Sequence, residues 1–161
     1  MNRQSPECGI VISIRAKYAR KILSGEKKVE VRRLFSKKWK GSKVSIYASG
    51  SERSLVGEAS IKDVVVDKPE NIWSRFSEHL GCTKEDFDKY TESKDKVYAV
   101  LLENAVPYQK SISIKEISGL MKEKLRPPQN YYNLNHNAKW AEAVSMAASL
   151  QGNFGARKPV L

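Results

Sequence analysis

The stretch at 22–33, read ILSGEKKVEVRR, most constrains the fold, because the spacing of its apolar residues changes at a glycine. Before Gly25 the spacing is helical, and glycine is favoured just past the last turn of a helix. From Lys28 the sequence alternates instead, with Val29 and Val31 on one side of the chain. The stretch therefore predicts a helix that ends at Gly25, a turn, and a half-buried β-strand with a charged outer side.

The charge of the chain is positive and unevenly distributed, with a net value of +11. Residues 15–53 hold thirteen Lys or Arg against three Glu, whereas residues 63–95 hold five Lys or Arg against nine Asp or Glu. Such a basic surface is typical of phosphate-binding proteins, since neutralising phosphates releases condensed counterions. RNA or a nucleotide is the expected partner, and the alternative is a solvated basic surface without a partner.

The length of 161 residues predicts one domain with a hydrophobic core. The N-terminus lacks the apolar segment of a signal peptide, and no apolar run approaches the roughly 20 residues that span a bilayer. We therefore expect a cytoplasmic monomer or weak dimer with no membrane partner, although a protein partner stays open. Two cysteines, Cys8 and Cys82, and two histidines, all far apart, do not predict a metal site, and no pattern predicts a cofactor.

Alternating apolar residues predict several strands, and an α+β fold follows from their mixture with helices. The expected strands lie at 9–14, 28–33, 43–48, 54–66, 96–103 and 109–117. Gly57 is expected to mark a bulge or a close backbone approach, and Pro107 is expected to break the chain between the last two strands.

Helical spacing predicts helices at 16–24, 71–80 and 137–150, and Thr83 is expected to cap a short acidic helix. A short helix or turn follows at 118–126. We divide the chain into four parts: an N-terminal arm at 1–8, a domain at 9–135, a C-terminal helix at 136–150 that packs on the domain, and a flexible tail at 151–161.

A set of residues spread over the first third of the chain resembles a known family. It reads I-R-x-x-Y at 14–18 and ILSG-x-K-x-x-E-x-R at 22–32, followed by strand segments VSIY at 44–47 and GEA at 57–59. These residues resemble the ASCH domain family, a branch of the PUA-like superfold, whose signature is G-x-K-x-x-E-x-R. The resemblance covers 9–135 and implies a small β-barrel of five to six mostly antiparallel strands with flanking helices.

The resemblance also implies a cleft lined by the signature and an association with RNA or nucleotides. Family members are RNA-binding or coactivator-like modules, one branch hydrolyses acetylated cytidine nucleosides, and ribonuclease activity occurs in another. The hydrolase branch uses a lysine, a threonine and a glutamate. Lys27 matches that lysine, whereas Glu30 stands in place of the threonine. If the protein is an enzyme, an amidohydrolase or ribonuclease, Lys27 and Glu30 are the candidate catalytic residues.

Side-chain chemistry singles out candidate nucleic-acid-binding residues. Lys27 as a point charge and Arg32 as a bidentate fork suit phosphate, while Glu30 suits Arg32 or a base edge. The alternative for Glu30 and Arg32 is a surface ion pair without function. The full predicted set is Arg15, Lys17, Tyr18, Lys27, Glu30, Arg32, Arg33, Trp39 and Ser49.

Aromatic residues are candidates for base stacking. Trp39 is surrounded by lysines in FSKKWK, which favours an exposed stacking role over a core one. Tyr47 and Tyr131 are expected in the core. The loop that starts at Ser49 offers backbone N–H groups to a phosphate.

Three functions remain open on this basis. The favoured one is an RNA- or nucleotide-binding module that uses a basic cleft lined by the signature. The second is a hydrolase acting on modified, acetylated cytidine nucleosides or on RNA. The third is a protein-interaction module that uses Tyr131, Tyr132 and the C-terminal helix.

Overall fold

The computed structural model describes residues 9–156, with side chains as far as residue 151. The predicted N-terminal arm at 1–8, with Cys8, lies outside the described residues, as does the end of the predicted tail at 157–161. In the described part of the chain, no helix is long and apolar enough to cross a membrane.

Among the residues that the structure describes, six strands form one mixed sheet, which curves into a half-barrel. The strands are β1 (Ile10–Arg15), β2 (Val29–Arg32), β3 (Lys43–Ser49), β4 (Ser54–Asp67), β5 (Val97–Ser113) and β6 (Tyr131–Asn133). Their order across the sheet is β2-β5-β4-β3-β1-β6. The β1–β3 pair is parallel and the other four pairs are antiparallel, so the expected PUA-like fold of mostly antiparallel strands is confirmed.

Five α-helices of the described range 9–156 flank the sheet. They are α1 (Ala16–Ser24), α2 (Pro69–Phe76), α3 (Lys84–Tyr90), α4 (Ile114–Met121) and α5 (Ala138–Ala156). Gly25 ends α1 with φ 88, a left-handed conformation that glycine adopts at low cost, as predicted. The Thr83 hydroxyl accepts a hydrogen bond from the Asp86 amide and caps α3, also as predicted. The last helix continues past the predicted end at 150 to Ala156.

Alternation along the strands divides the core between the two faces of the sheet. Ile10, Ile12 and Ile14 of β1 face one cluster together with the apolar side of α1. Val11 points the other way, into a cluster built with α4 and α5. A third cluster joins Val29 and Val31 of β2 to α2 and α3.

Two long strands, β4 and β5, make the centre of the sheet and contain the clearest correction to the sequence prediction. Pro107 does not break the chain, because β5 runs from Val97 to Ser113 as one strand. The register shifts between Leu55 and Gly57, opposite Pro107, so the ladder is irregular where a proline lacks its N–H. A Cβ on Gly57 would lie 2.5 Å from the Val106 carbonyl oxygen, which confirms the predicted close approach.

The strand predicted at 109–117 is also partly wrong, since its second half forms α4. Ser113 ends β5 and caps α4: its side chain accepts from the Glu116 amide, and the Glu116 carboxylate accepts from the Ser113 amide. This reciprocal capping box turns the chain into a helix despite the alternating serine and isoleucine pattern.

Candidate nucleic-acid interface

The signature residues form a buried ionic cluster rather than an exposed strand face. Every residue of β2 is buried, and Glu30 pairs in register with Val100, a member of the first core cluster. The charged side of β2 therefore faces the interior of the half-barrel. The prediction of a half-buried strand with an outward charged side is wrong, because the curvature of the sheet brings α1 over that side.

Lys27 is 5% exposed, and each of its three ammonium hydrogens has an acceptor nearby. Nζ donates to the Leu80 carbonyl at 2.6 Å and to the Val29 carbonyl at 2.9 Å, and it lies 3.3 Å from Glu30 Oε1. Gly81 covers the aliphatic stem so closely that a Cβ there would lie 3.0 Å from Lys27 Cβ. In this arrangement the amine acts as a hydrogen-bond donor to the protein itself.

Glu30 lies between two cations. Its Oε2 is 2.9 Å from Arg32 Nη2, while Oε1 faces Lys27. Two cations and one carboxylate leave one formal positive charge in the cluster. The assignment of Lys27 and Glu30 to catalysis stays a prediction, although both side chains are engaged inside the protein.

Arg32 connects the cluster to the opposite end of the sheet. Its Nη2 donates to the Ser13 carbonyl of β1 at 2.6 Å, and its Nη1 donates to Asn130 Oδ1 at 3.2 Å. Its Nε is buried without a hydrogen-bond partner among the described residues, which costs about 1–3 kcal/mol. Asn130 Nδ2 in turn donates to the Leu34 carbonyl, just past β2, at 2.9 Å.

A cleft of about 760 Å³ lies on the other side of Ser13 and Asn130. Because β1 and β3 are parallel, both strands end at the same edge of the sheet, and the cleft opens at that edge. Its walls are the loop after β3 and the segment that leads into β6. The lining residues are Ser13, Tyr47, Ser49, Gly50, Arg53, Arg126, Pro127, Pro128, Gln129, Asn130, Tyr131 and Tyr132.

Tyr47 lines this cleft and carries a buried polar group. The side chain is 1% exposed, as expected for a core residue, and its ring packs edge-to-face on Trp140. Its hydroxyl has no hydrogen-bond partner within the described part of the chain. Burial raises the pKa of the phenol, and the charge of Arg53 partly offsets this effect. The phenol is therefore protonated at neutral pH and can donate a hydrogen bond.

Two arginines give the cleft its positive charge. Arg53 has φ 47, a left-handed conformation that is uncommon for a side chain of this size and is frequent at functional sites. Its carbonyl accepts from the Ile114 amide at 2.9 Å, which fixes the loop to the start of α4. Arg126 is exposed, and its carbonyl accepts from Trp140 Nε1 at 2.8 Å. Both guanidinium groups are carried on anchored backbone.

Tyr131 and Tyr132 form the aromatic part of the wall. Tyr131 packs edge-to-face against Phe35 and Trp39, with ring centroids 5.2 and 5.8 Å away. Tyr132 donates its hydroxyl to the Arg126 carbonyl at 3.2 Å. Both tyrosines remain partly exposed, so a planar group in the cleft has aromatic surface beside it.

A smaller groove of about 330 Å³ lies between α1 and the segment at 77–86. Lys17 and Tyr18 line it, and the Tyr18 ring has the Nζ atoms of Lys17, Lys21 and Lys27 within 5.9 Å of its centroid. Acidic residues line the facing wall, and burial raises the pKa of the Cys82 thiol there. The mixed charge makes this groove less suited to a phosphate chain than the larger cleft.

The predicted binding residues other than Trp39 are distributed over four environments. Ser49 lines the larger cleft, and Arg15, its register partner on β1, is exposed at the same sheet edge. Arg33 is exposed and lies over the Tyr90 ring at 4.6 Å. Lys17 and Tyr18 line the smaller groove, and the signature triad is buried.

The prediction that Trp39 is exposed for base stacking is wrong. Its side chain is 3% exposed and belongs to the first core cluster, so its ring is not available to stack on a base. A short 3-10 turn at Lys37–Trp39 directs the indole inward while the neighbouring lysines stay exposed, and the Lys38 ammonium lies 5.0 Å from the indole centroid. Lysine neighbours in sequence therefore did not predict exposure.

Sequence reasoning missed the groups that give the larger cleft its chemistry. Tyr47 was predicted as core, and its burial is confirmed, but the free hydroxyl was not foreseen. Arg53, Arg126 and Asn130 were not singled out. A usable signal was the loop at 49–53, where small residues precede an arginine just before a strand. None of the cleft-lining residues comes from the signature itself, so the expected lining by GEKKVEVR does not apply to this cleft.

Comparison with known proteins agrees with this architecture. Residues 7–121 match the model of a family described as "Domain of unknown function (DUF365)". The ASCH domain-containing ribonuclease of Zymomonas mobilis is 28% identical over 120 residues, covering 74% of this chain and 80% of the relative.

Solved structures give the same result. The crystal structure of ASCH from Zymomonas mobilis matches with a TM-score of 0.75 at 26% identity, over 86% of this chain and 94% of that one. A mutant of that protein matches with a TM-score of 0.76 at 25% identity, over 89% and 99% of the two chains. The protein therefore belongs to the DUF365 family and is an ASCH domain with the PUA-like fold.

Proposed function

We propose that the protein binds single-stranded RNA in the cleft between the β3–β4 loop and the segment at 126–132. The observation that carries this proposal is the buried hydroxyl of Tyr47, which has no hydrogen-bond partner among the described residues, together with the position of Tyr47 in the lining that holds Arg53 and Arg126. A buried donor without a partner is costly to keep, so a ligand acceptor explains its retention. The similarity to a protein named as a ribonuclease supports RNA as the ligand.

Phosphate is the RNA group that fits the charged part of the cleft. A guanidinium presents a planar fork that matches two phosphate oxygens, and a protonated phenol adds a third donor. Gly50, with φ 84, lets the β3–β4 loop present its backbone beside Ser49. These groups recognise the backbone of RNA and do not depend on its sequence.

The aromatic wall favours single strands over duplexes. Bases of a single strand are free to stack on aromatic side chains, whereas bases in an A-form helix are paired and inaccessible from its deep major groove. Tyr131 and Tyr132 offer partly exposed rings for this purpose. A base stacked there would place its phosphate towards the arginines.

Fluorescence anisotropy with a labelled single-stranded RNA of about twelve nucleotides tests this proposal. Two to three phosphate contacts predict that the logarithm of the association constant falls against the logarithm of salt concentration with a slope of about −1.4 to −2.1. Duplex RNA of the same sequence is expected to bind more weakly. Binding that is absent at low salt, or unchanged as salt rises severalfold, would reject the proposal.

RNA cleavage is the second candidate, because the relative at 28% identity is named as a ribonuclease. Two guanidinium groups and a phenolic donor would stabilise the negative charge that a phosphodiester gains when it is attacked. Incubation of end-labelled RNA with the protein, resolved on a denaturing gel, tests this function. Cleavage that persists undiminished in Arg53→Ala would reject this site as the catalytic one.

A further inference from the structure

The two ends of the half-barrel meet at a seam made of side chains. In the order β2-β5-β4-β3-β1-β6, β2 is one end of the sheet and β1 lies next to the other end. No backbone ladder pairs β2 with β1 in the described sheet. Arg32 crosses this gap instead, from β2 to the Ser13 carbonyl of β1 at 2.6 Å and to Asn130 at 3.2 Å.

Asn130 lies at the centre of this seam. Its side chain accepts from Arg32 Nη1 and donates to the Leu34 carbonyl, so both ends of its amide are held by the β2 side. The backbone carbonyl of Asn130 accepts a hydrogen bond from the Ser13 amide at 3.0 Å, which connects Asn130 to β1. Asn130 and Ser13 both line the larger cleft. The position of Asn130 in the cleft wall therefore depends on hydrogen bonds to Arg32 and Leu34 on the β2 side.

Arginine has a specific advantage here over lysine. Its fork meets Glu30, Ser13 and Asn130 at once, although Nε stays buried without a partner among the described residues. Lysine would keep the charge and the pairing with Glu30, but its single nitrogen is too compact to span the two acceptors on the far side of the seam. Retention of a costly guanidinium is explained by this bridging.

We propose that Arg32 is a positioning residue for the RNA cleft: by holding Asn130 and Ser13 across the seam, it sets RNA affinity without contacting RNA. The proposal rests on the proposed function of the cleft. It assigns to the signature arginine a role in organising the site, in place of the direct phosphate contact predicted from the sequence.

Two readouts on Arg32→Lys test the proposal. Hydrogen exchange is expected to rise at the Ser13 amide and across 126–132, because the wall loses its anchor. RNA affinity is expected to fall about tenfold, the effect of one lost contact of about 1.4 kcal/mol, while the slope against salt stays unchanged. Because lysine keeps the positive charge, the slope would also stay unchanged for a direct phosphate contact, so the rise in exchange is the readout that separates positioning from contact.

A double-mutant cycle separates positioning from general destabilisation. Asn130→Ala removes the same bridge from the other side, so it is expected to weaken binding on its own and to add little to Arg32→Lys. If Arg32→Lys folds poorly, Asn130→Ala still tests the proposal by itself. Arg75→Lys on the exposed surface of α2 is the matched control and is expected to change neither exchange nor affinity.

The outcomes distinguish the two proposals. If Arg53→Ala weakens RNA binding but Arg32→Lys and Asn130→Ala do not, or if their effects simply add, the positioning role is overturned and the cleft function stands. Unchanged exchange at Ser13 in both seam variants also overturns it. If the wild-type protein fails to bind RNA, the proposed function is overturned, and the affinity role of Arg32 is overturned with it.

Discussion

The signature cluster and the larger cleft are both rich in charge and hydrogen-bonding groups, but they differ in how these groups are used. In the cluster, the three ammonium hydrogens of Lys27 face protein acceptors, and Glu30 bridges two cations. In the cleft, the Tyr47 hydroxyl has no partner among the described residues, and two arginines lie on the same lining. The cluster is suited to holding the fold, and the cleft is suited to binding a ligand.

A recognisable motif and a binding surface can therefore be separate regions of one domain. The motif is easily seen in the sequence because its spacing is regular. Its side chains nevertheless point into the half-barrel, where they satisfy one another. The groups available to a ligand come from loops with no regular spacing, and Arg32 links the two regions through Asn130.

The largest expected effect is on stability. Glu30→Gln removes the carboxylate between two buried cations, so Lys27 and Arg32 would repel each other without compensation. We expect a loss of about 3–5 kcal/mol in the free energy of unfolding, measured by urea denaturation. Glu52→Gln is the matched control: it breaks the Arg20–Glu52 pair, whose side chains are 45% and 30% exposed, and is expected to cost less than about 1 kcal/mol. Equal losses in both variants would show that the cluster is not a structural centre.

The second prediction concerns affinity. The double variant Arg53→Ala, Arg126→Ala is expected to weaken binding of single-stranded RNA by about 2 kcal/mol, roughly thirtyfold, and to reduce the magnitude of the salt slope by about 1.4. Stability is expected to change little, because both side chains are exposed. Arg75→Ala removes one positive charge away from the cleft and is expected to leave affinity unchanged. A salt slope that stays at the wild-type value in the double variant would remove the arginines from the interface.

Tyr47→Phe is expected to move stability and affinity in opposite directions. Removal of a buried hydroxyl without a partner stabilises the fold by about 1 kcal/mol, whereas loss of the donor weakens RNA binding about fivefold. Tyr108→Phe is the control with the opposite sign for stability, because that hydroxyl donates to Glu58 at 3.2 Å. A variant that loses stability and keeps full affinity would contradict the role of Tyr47 as a ligand donor.

The smallest effect is on pH dependence. Because burial raises the pKa of Tyr47, the phenol stays protonated in the folded state, and its contribution to affinity is expected to be constant between about pH 6 and pH 9. The ratio of wild-type to Tyr47→Phe affinity, determined at several pH values, measures this contribution. Above about pH 10 the phenol ionises first in the unfolded state, so wild-type stability should fall relative to Tyr47→Phe. A ratio that declines between pH 7 and pH 9 would argue against a protonated donor.

Local patterns predicted much of the fold. The end of α1 at Gly25, the cap at Thr83 and the close approach at Gly57 each depend on a few neighbouring residues, and all three are confirmed. Local patterns failed at Pro107, which was predicted to break the chain. A proline can remain within a strand where the pairing with the partner strand is also irregular. Whether that partner irregularity exists is decided by Gly57, fifty residues earlier in the chain.

The candidate site was predictable only in part. Ser49 and the basic character of the N-terminal half point towards the cleft, whereas Trp39 was assigned to it wrongly because flanking lysines do not determine burial. Tyr47 could be placed in the core from its strand. That its hydroxyl would remain unpaired depends on every acceptor around it, which no window of sequence contains.

The elements, the signature and the excess of positive charge follow from spacing and composition, so they can be derived from the amino-acid sequence. Which charges pair with protein groups depends on how the strands and loops come together in the folded chain. Arg32 and Asn130, 98 residues apart, meet because the half-barrel brings the ends of the sheet together. The satisfaction of a hydrogen bond is a property of three-dimensional neighbours, and it is this property that separates the buried cluster from the cleft.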